Sequence, residues 1–161
     1  MSKKKNKTSY LILHDIRSVH NVGSIFRTAD AAGVEKIYLT GFTPAPIDRF
    51  GRARKDFAKS ALGAERTVPW EQRGNILPLF DELKASGFLI IGVEQTPQAN
   101  DYKEIRATSP IAFVFGNEVS GLPPEVLAAC DIVAEIPMRG RKESLNVSVA
   151  AGITLFRILN I

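Results

Sequence analysis

Ile136-Pro137-Met138-Arg139-Gly140-Arg141-Lys142-Glu143-Ser144-Leu145-Asn146 is the stretch on which the reading of the fold turns. Upstream of it, Ile132 to Ile136 is a short apolar strand. Pro137 ends that strand, because proline has no backbone donor to extend a sheet. Downstream, Val147 to Ile161 is almost unbroken apolar sequence. Ser144 is a good N-cap, so a helix is expected to start at Leu145 or Asn146. A strand end, a flexible basic turn with free backbone amides and a helix N-terminus therefore meet in one place. In open α/β sheets, ligands sit outside the carboxyl ends of the strands at such places. Ser144 and Asn146 are the polar residues that interrupt the otherwise apolar segment there.

The same alternation runs back through the chain. Tyr10–His14, Lys36–Thr40, Arg66–Trp70, Phe88–Val93 and Ile111–Phe115 read as strands. Phe88–Val93 is continuously apolar, as expected of a strand covered on both faces. Helices are expected from an Asn21 cap to Ala32, closed by Gly33, over Gly74–Ser86, and from Pro123-Pro124 to Ala129. In the first helix Val22, Ile25, Phe26, Ala29 and Gly33 share one face, with Ser24 and Arg27 opposite; His20 joins the polar side if the helical phase extends back to it. Strands alternating with helices predict one α/β domain, residues 9–161, around a mostly parallel sheet. A basic disordered tail, residues 1–8, is expected before it. The last helix is apolar on several faces: Leu145, Val149, Ile153 and Phe156 form one stripe, and Val147, Ala150, Ala151 and Ile158 lie elsewhere. A helix of that kind is expected to be buried on several sides. In a chain of 161 residues, a subunit interface and hence a homodimer supplies the second side.

Composition narrows the classes. No apolar run approaches the roughly 18 residues of a membrane span, so no membrane partner is expected. The basic N-terminus lacks the apolar segment of a signal peptide. Cys130 is the only cysteine, which excludes an internal disulfide and fits a reducing cytoplasm as the expected location. A net charge of +4 permits an anionic partner, although Lys3, Lys4, Lys5 and Lys7 carry part of the excess. Arg49, Arg52, Arg54, Lys55 and Lys59 form a basic segment that reads either as plain surface or as phosphate contacts. His14, His20 and Cys130 show no ligand spacing, so no metal site is expected. Neither G-x-G-x-x-G nor a G-K-S/T phosphate loop is present, so a cofactor held by its pyrophosphate is not expected. Gly116-Asn117-Glu118-Val119-Ser120-Gly121-Leu122, at the end of a strand, reads either as a tight turn or as a loop whose backbone approaches a ligand.

Three stretches together resemble the motifs of the SpoU/TrmH-type RNA methyltransferases of the SPOUT superfamily. His20-Asn21-Val22-Gly23-Ser24-Ile25-Phe26-Arg27-Thr28-Ala29-Asp30-Ala31-Ala32-Gly33 resembles the first motif. Phe113-Val114-Phe115-Gly116-Asn117-Glu118-Val119-Ser120-Gly121-Leu122 resembles the second. Ile136-Pro137-Met138, with Ser144-Leu145-Asn146-Val147-Ser148-Val149-Ala150, resembles the third. Lys59-Ser60-Ala61-Leu62-Gly63-Ala64 is a weaker match, and the likeness runs in order from His14 to Phe156.

The resemblance implies a SPOUT α/β knot: a mostly parallel sheet flanked by helices, with a deep trefoil knot at its C-terminal end. It implies S-adenosyl-L-methionine as cofactor, and methylation of a ribose 2′-hydroxyl in tRNA or rRNA. By motif, Gly116, Ile136, Leu145, Met138 and Glu94 are the expected cofactor contacts. Asn21, Arg27, Glu118, Ser144 and Asn146 match the polar residues of the family's active site, and His20 a substrate-side position. The alternative is a catalytically inactive knotted RNA-binding module, against which the intact polar set speaks. Many relatives carry an N-terminal RNA-binding domain, whereas only Met1–Ser9 precede the first strand here. Phosphate contacts are therefore expected from Arg49, Arg52, Arg54, Lys55, Arg139, Arg141 and Lys142. The resemblance assigns proton removal to Arg27. A guanidinium gives up its proton very reluctantly, which leaves two roles open. One is a transient base activated by a phosphate, the other a charged clamp on phosphate and developing alkoxide.

Overall fold

The computed structural model describes residues 7–161, so most of the expected tail, Lys3, Lys4 and Lys5 included, lies outside the described residues. Seven strands form one sheet: β1 (Ser9–His14), β2 (Lys36–Thr40), β3 (Trp70–Arg73), β4 (Leu89–Val93), β5 (Asn100–Asp101), β6 (Ile111–Phe115) and β7 (Ile132–Glu135). Their order is β3-β2-β1-β6-β4-β7-β5, and each pairing is parallel. Among the described residues six α-helices flank the sheet: α1 (Val19–Ala32), α2 (Lys55–Ala61), α3 (Ala64–Thr67), α4 (Ile76–Ala85), α5 (Pro124–Ala129) and α6 (Val147–Leu159). A parallel sheet needs both faces covered. Leu11, Leu13, Phe113 and Phe115 point to one side, under α1, α2 and α6. Ile12, Ile90, Ala112 and Val114 point to the other, under α4 and α5. Because every strand runs the same way, all the carboxyl ends open on a single edge.

The first helix docks unusually closely on the second. A Cβ at Gly23 would lie 2.0 Å from Ser60 Oγ and 3.0 Å from the Phe57 carbonyl. Phe26 and Phe57 meet edge to face at 5.1 Å. This close approach gives the small residues of Lys59–Ala64 a packing reason. It also sets α1 firmly beside the site-bearing edge.

Several boundaries differ from expectation. Ser18, not Asn21, caps α1: its side chain accepts from the Asn21 backbone amide at 3.1 Å, and the helix begins at Val19. Asn146, not Ser144, caps α6, accepting from the Ser148 amide at 2.9 Å. Residues 66–69 are not a strand, and β3 begins only at Trp70. The chain closes the turn of α3, where the Val68 amide donates to the Ala64 carbonyl, and pairing begins only where the Pro69 carbonyl receives the Ile37 amide at 2.9 Å. The edge strand β5, two residues long, was not anticipated. In α6, Ala151, Thr154, Leu155 and Ile158 are buried, but Val149 is 48% and Phe156 37% exposed. Within a single chain the helix is therefore buried on one side only. No helix among the described residues is long and apolar enough to cross a membrane.

Candidate active site at the strand ends

A cavity of about 260 Å³ opens where the ends of β4, β6 and β7 meet the N-terminus of α6. That is slightly below the range of about 300–1,000 Å³ usual for small-molecule sites. Its floor is made by a loop that folds back on itself immediately after β6. Asn117 and Gly121 form an antiparallel bridge. A Cβ at Gly116 would lie 2.7 Å from the Gly121 carbonyl carbon, so only glycine fits. The close approach inferred for this glycine is thus to the loop's own backbone. Asn117 fixes the turn: its Oδ1 accepts from the Val119 and Ser120 amides at 2.9 and 3.0 Å, and its Nδ2 donates to the Asp15 carbonyl at 2.8 Å. The Glu94 carboxylate, at the end of β4, accepts from the Leu122 amide at 3.0 Å and the Gln95 amide at 3.0 Å. Glu94 therefore lines the cavity and also ties β4 to the β6 loop.

Three segments far apart in sequence are joined by one chain of hydrogen bonds. Glu118 Oε2 accepts from the Arg17 amide at 3.0 Å. Its Oε1 accepts from the Ser18 amide at 3.0 Å and from Asn21 Nδ2 at 3.1 Å. Asn21 Oδ1 accepts from Asn146 Nδ2 at 3.1 Å, and Asn146 Oδ1 caps α6. Each amide orientation is fixed by its neighbour: Glu118 can only accept, so Asn21 must present its NH2 group there and its oxygen to Asn146. Because Ser18 caps α1, the Asn21 side chain is free for this network.

Burial pushes the Glu118 carboxyl pKa up, but hydrogen bonds from the Arg17 and Ser18 amides, with the Asn21 amide, outweigh it and hold the group below the ordinary carboxylate range. A folded-state value below the unfolded one of about 4.3 stabilises the fold at all pH above that value. The contribution is lost as pH falls through the folded value. Glutamine has one acceptor oxygen, so Glu118→Gln leaves an amide donor facing NH2. It is expected to lower unfolding free energy at pH 7 by about 1–2 kcal/mol and to flatten the acid limb of the stability profile. Denaturant titrations across the acid range test this; superimposable profiles for the two proteins would show that the carboxylate clamps nothing.

Asn21, Glu118, Ser144, Asn146, Gly116, Ile136, Leu145, Met138 and Glu94 all line this cavity. Arg27 and His20 do not: both are exposed on α1. Arg27 stands six residues beyond Asn21, about 9 Å along the helix axis. Arg139, Arg141 and Lys142 are exposed in the loop leading to Ser144. Two members of the other basic group are already engaged: Arg52 pairs with Asp48 at 2.9 Å and Arg54 with Asp56 at 2.8 Å. Arg49 and Lys55 are the exposed cations left on that segment from the expected set. Sequence reasoning passed over Asn117, although an asparagine followed by a loop and a glycine, just past an apolar strand, is the signal of a side-chain-closed turn.

The sequence pattern of the SpoU rRNA Methylase family matches residues 8–156. A curated protein of Staphylococcus haemolyticus, whose name places it in the TrmH family of tRNA/rRNA methyltransferases, is 36% identical over 155 residues, covering 96% of this chain and 59% of its own. The AdoMet-bound rRNA methyltransferase of Sinorhizobium meliloti superposes with a TM-score of 0.86 at 30% identity, over 97% of this chain and 57% of that one. A structure described as an RNA 2′-O ribose methyltransferase superposes with a TM-score of 0.80 at 26% identity, over 96% of this chain and 57% of its own. The chain thus spans about three-fifths of the length of these proteins.

Proposed function

This chain belongs to the SpoU rRNA methylase family, and on that premise we propose that it transfers a methyl group from S-adenosylmethionine to a ribose 2′-hydroxyl of tRNA or rRNA. The observation that carries the reading is the Glu118–Asn21–Asn146 network standing at the wall of a cavity built from three strand ends. The lining suits the cofactor. Ile136, Leu145 and Val147 offer apolar surface to a purine, and the turns after β4, β6 and β7 offer backbone groups to its polar edge. Gly116 and Met138 would complete that cradle. When bound, the cofactor supplies an electrophilic methyl on a sulfonium sulfur.

The chain's own residues then have three tasks. Asn21 and Asn146, with their amides fixed in orientation, position the ribose. Ser144, exposed at the cavity mouth, offers a hydroxyl to the incoming substrate. Glu118, ionised and occupied by three donors, orients the asparagines rather than taking a proton. Arg27 answers for the developing alkoxide, which a fixed guanidinium stabilises, while the hydroxyl proton passes to an RNA phosphate or to solvent and S-adenosylhomocysteine leaves as the neutral thioether. It lies outside the cavity of its own chain, which favours a site completed by a second copy. The exposed apolar stripe of α6, with Val149 and Phe156, is the surface on which that copy docks as a homodimer.

Titration calorimetry with S-adenosylmethionine tests the reading first, and mapping of methylated riboses in cells lacking the protein then identifies the RNA. Saturable cofactor binding is expected. No heat at millimolar cofactor, with RNA binding retained, would leave the RNA-binding module instead.

A further inference from the structure

Between β2 and α2 the chain makes an excursion at the same sheet edge as the cavity, and two of its largest apolar side chains face solvent. Phe42 is 60% and Phe50 65% exposed. Neither belongs to either apolar core cluster. An exposed phenylalanine on a floppy loop would mean little, but this loop is held. The Asp48 amide donates to the Arg52 carbonyl at 2.8 Å, the Arg54 amide to the Pro46 carbonyl at 2.9 Å, and Ile47 bridges Ala53. Asp48 Oδ1 accepts from the Phe50 and Arg52 amides at 2.8 and 3.0 Å, so the backbone carrying Phe50 is fixed at the tip.

The ring also has company of one sign. The Arg49 guanidinium carbon lies 4.7 Å, and that of Arg52 5.0 Å, from its centroid. At an exposed site such cation–π contacts are weak, so an arginine can leave the ring for a phosphate at little cost. Stacking of an unpaired base on an aromatic ring is the stronger of the two interactions. The base of the hairpin is tied to the active site as well. The Phe42 amide donates to Asp15 Oδ1 at 3.0 Å, and the Ile16 amide to Thr43 Oγ1 at 3.1 Å. Arg17 and Ser18, next along the chain, donate to Glu118. Whatever rests on the hairpin is therefore held in fixed register with Asn21 and the cavity.

We propose that the Pro46–Arg54 hairpin is a stacking platform for an unpaired nucleobase of the RNA substrate, with Phe50 as the ring and Arg49 moving to a flanking phosphate while Arg52 stays paired with Asp48. The proposal rests on the RNA-methylating function proposed above. It adds that the substrate presents a single-stranded segment beside the modified nucleotide, because a base inside a duplex has no free face to offer.

Fluorescence anisotropy with a labelled oligouridylate, and with the same strand annealed to its complement, tests it at several salt concentrations. Phe50→Ala is expected to weaken single-strand binding roughly tenfold at every salt concentration, leaving the salt slope and duplex binding unchanged. Phe50→Trp should keep single-strand affinity. Arg49→Gln should instead lower the salt slope by about one ion. Unchanged affinity in Phe50→Ala, equal loss for both RNA forms, or a change in oligomeric state by light scattering would each overturn the platform while leaving methylation standing. A wild-type protein that binds cofactor but neither RNA would overturn the platform and the proposed substrate together.

Discussion

Arg27→Ala is expected to cut single-turnover methylation of the cognate RNA about 100- to 1,000-fold while leaving the Kd for S-adenosylmethionine unchanged. The two halves of that result come from the geometry. The cavity is lined by the turns after β4, β6 and β7, by the start of α6 and by Asn21 in the first turn of α1, whereas Arg27 is exposed further along α1 and does not line it. Losing the side chain removes nothing that lines the cavity. A ribose hydroxyl, on the other hand, is a poor nucleophile until its proton leaves, and one fixed donor at a developing oxyanion is worth that much in rate. Arg27→Lys should recover only part of the loss, because a point charge cannot reproduce the planar fork that meets phosphate and alkoxide together. Near-normal rates in Arg27→Ala would remove the residue from the mechanism. Mixing Arg27→Ala with Asn146→Ala subunits should restore measurable turnover if the two side chains act in trans; a mixture as inactive as its components would place both in one subunit.

Gly116→Ala is expected to weaken S-adenosylmethionine binding by roughly 10- to 100-fold, because overpacking of this kind costs about 1–3 kcal/mol. The added methyl would meet backbone rather than a movable side chain: the Gly121 carbonyl carbon at 2.7 Å and the Leu122 amide nitrogen at 2.8 Å. The loop must open, and opening draws Leu122 away from Glu94, so two walls of the cavity shift at once. Gly116 lies just past the last residue of β6, and the sheet need not change. Calorimetry should show the loss while far-ultraviolet circular dichroism stays the same. Wild-type affinity in Gly116→Ala would mean that the loop relaxes freely and that this tight return is no part of the cofactor cradle.

How far the sequence could be read depended on what each residue answers to. β1, β2, β4 and β6 were legible within a residue or two because a strand covered on both faces must be apolar throughout, and the other long apolar run, residues 147–161, is too long for a strand. The caps were not. Ser18 and Asn21 are both good N-cap types, as are Ser144 and Asn146, and local propensity cannot choose between them. In α1 the choice is made by Glu118, 97 residues away, which claims the Asn21 amide for the site. The edge strands β3 and β5 are short and mixed in composition, so their pairing comes from neighbours rather than from pattern. The cavity-lining set was legible through the motifs. The position of Arg27 outside that cavity was not, since helical phase puts it on a polar face without saying what the face looks at. The engagement of Arg52 and Arg54 by nearby carboxylates likewise depends on side-chain reach, which a count of basic residues ignores. The knot expected from the resemblance is a property of the whole backbone path, and no local pattern encodes it.

The strand order has a consequence for how the chain is made. β1 takes β2 on one side and β6 on the other, and β6 sits between β1 and β4. A ribosome releases β1, β2, β3 and β4 before it releases β6. At roughly 5–20 residues per second, the interval from the end of β2 to the end of β6 is on the order of 4–15 s. Throughout it, the apolar Leu11-Ile12-Leu13 backbone is an unpaired inner edge, a template for the wrong partner. β6 must then enter a slot between two strands already made, closing contacts of long sequence separation, which is the slow kind of folding step. Glu118 follows three residues after β6, and Asn146 is released later still. The pocket is thus completed only after the sheet, and a polypeptide stopped just after β7 would hold all seven strands and the Glu118–Asn21 bond but lack Asn146 and the helix that it caps.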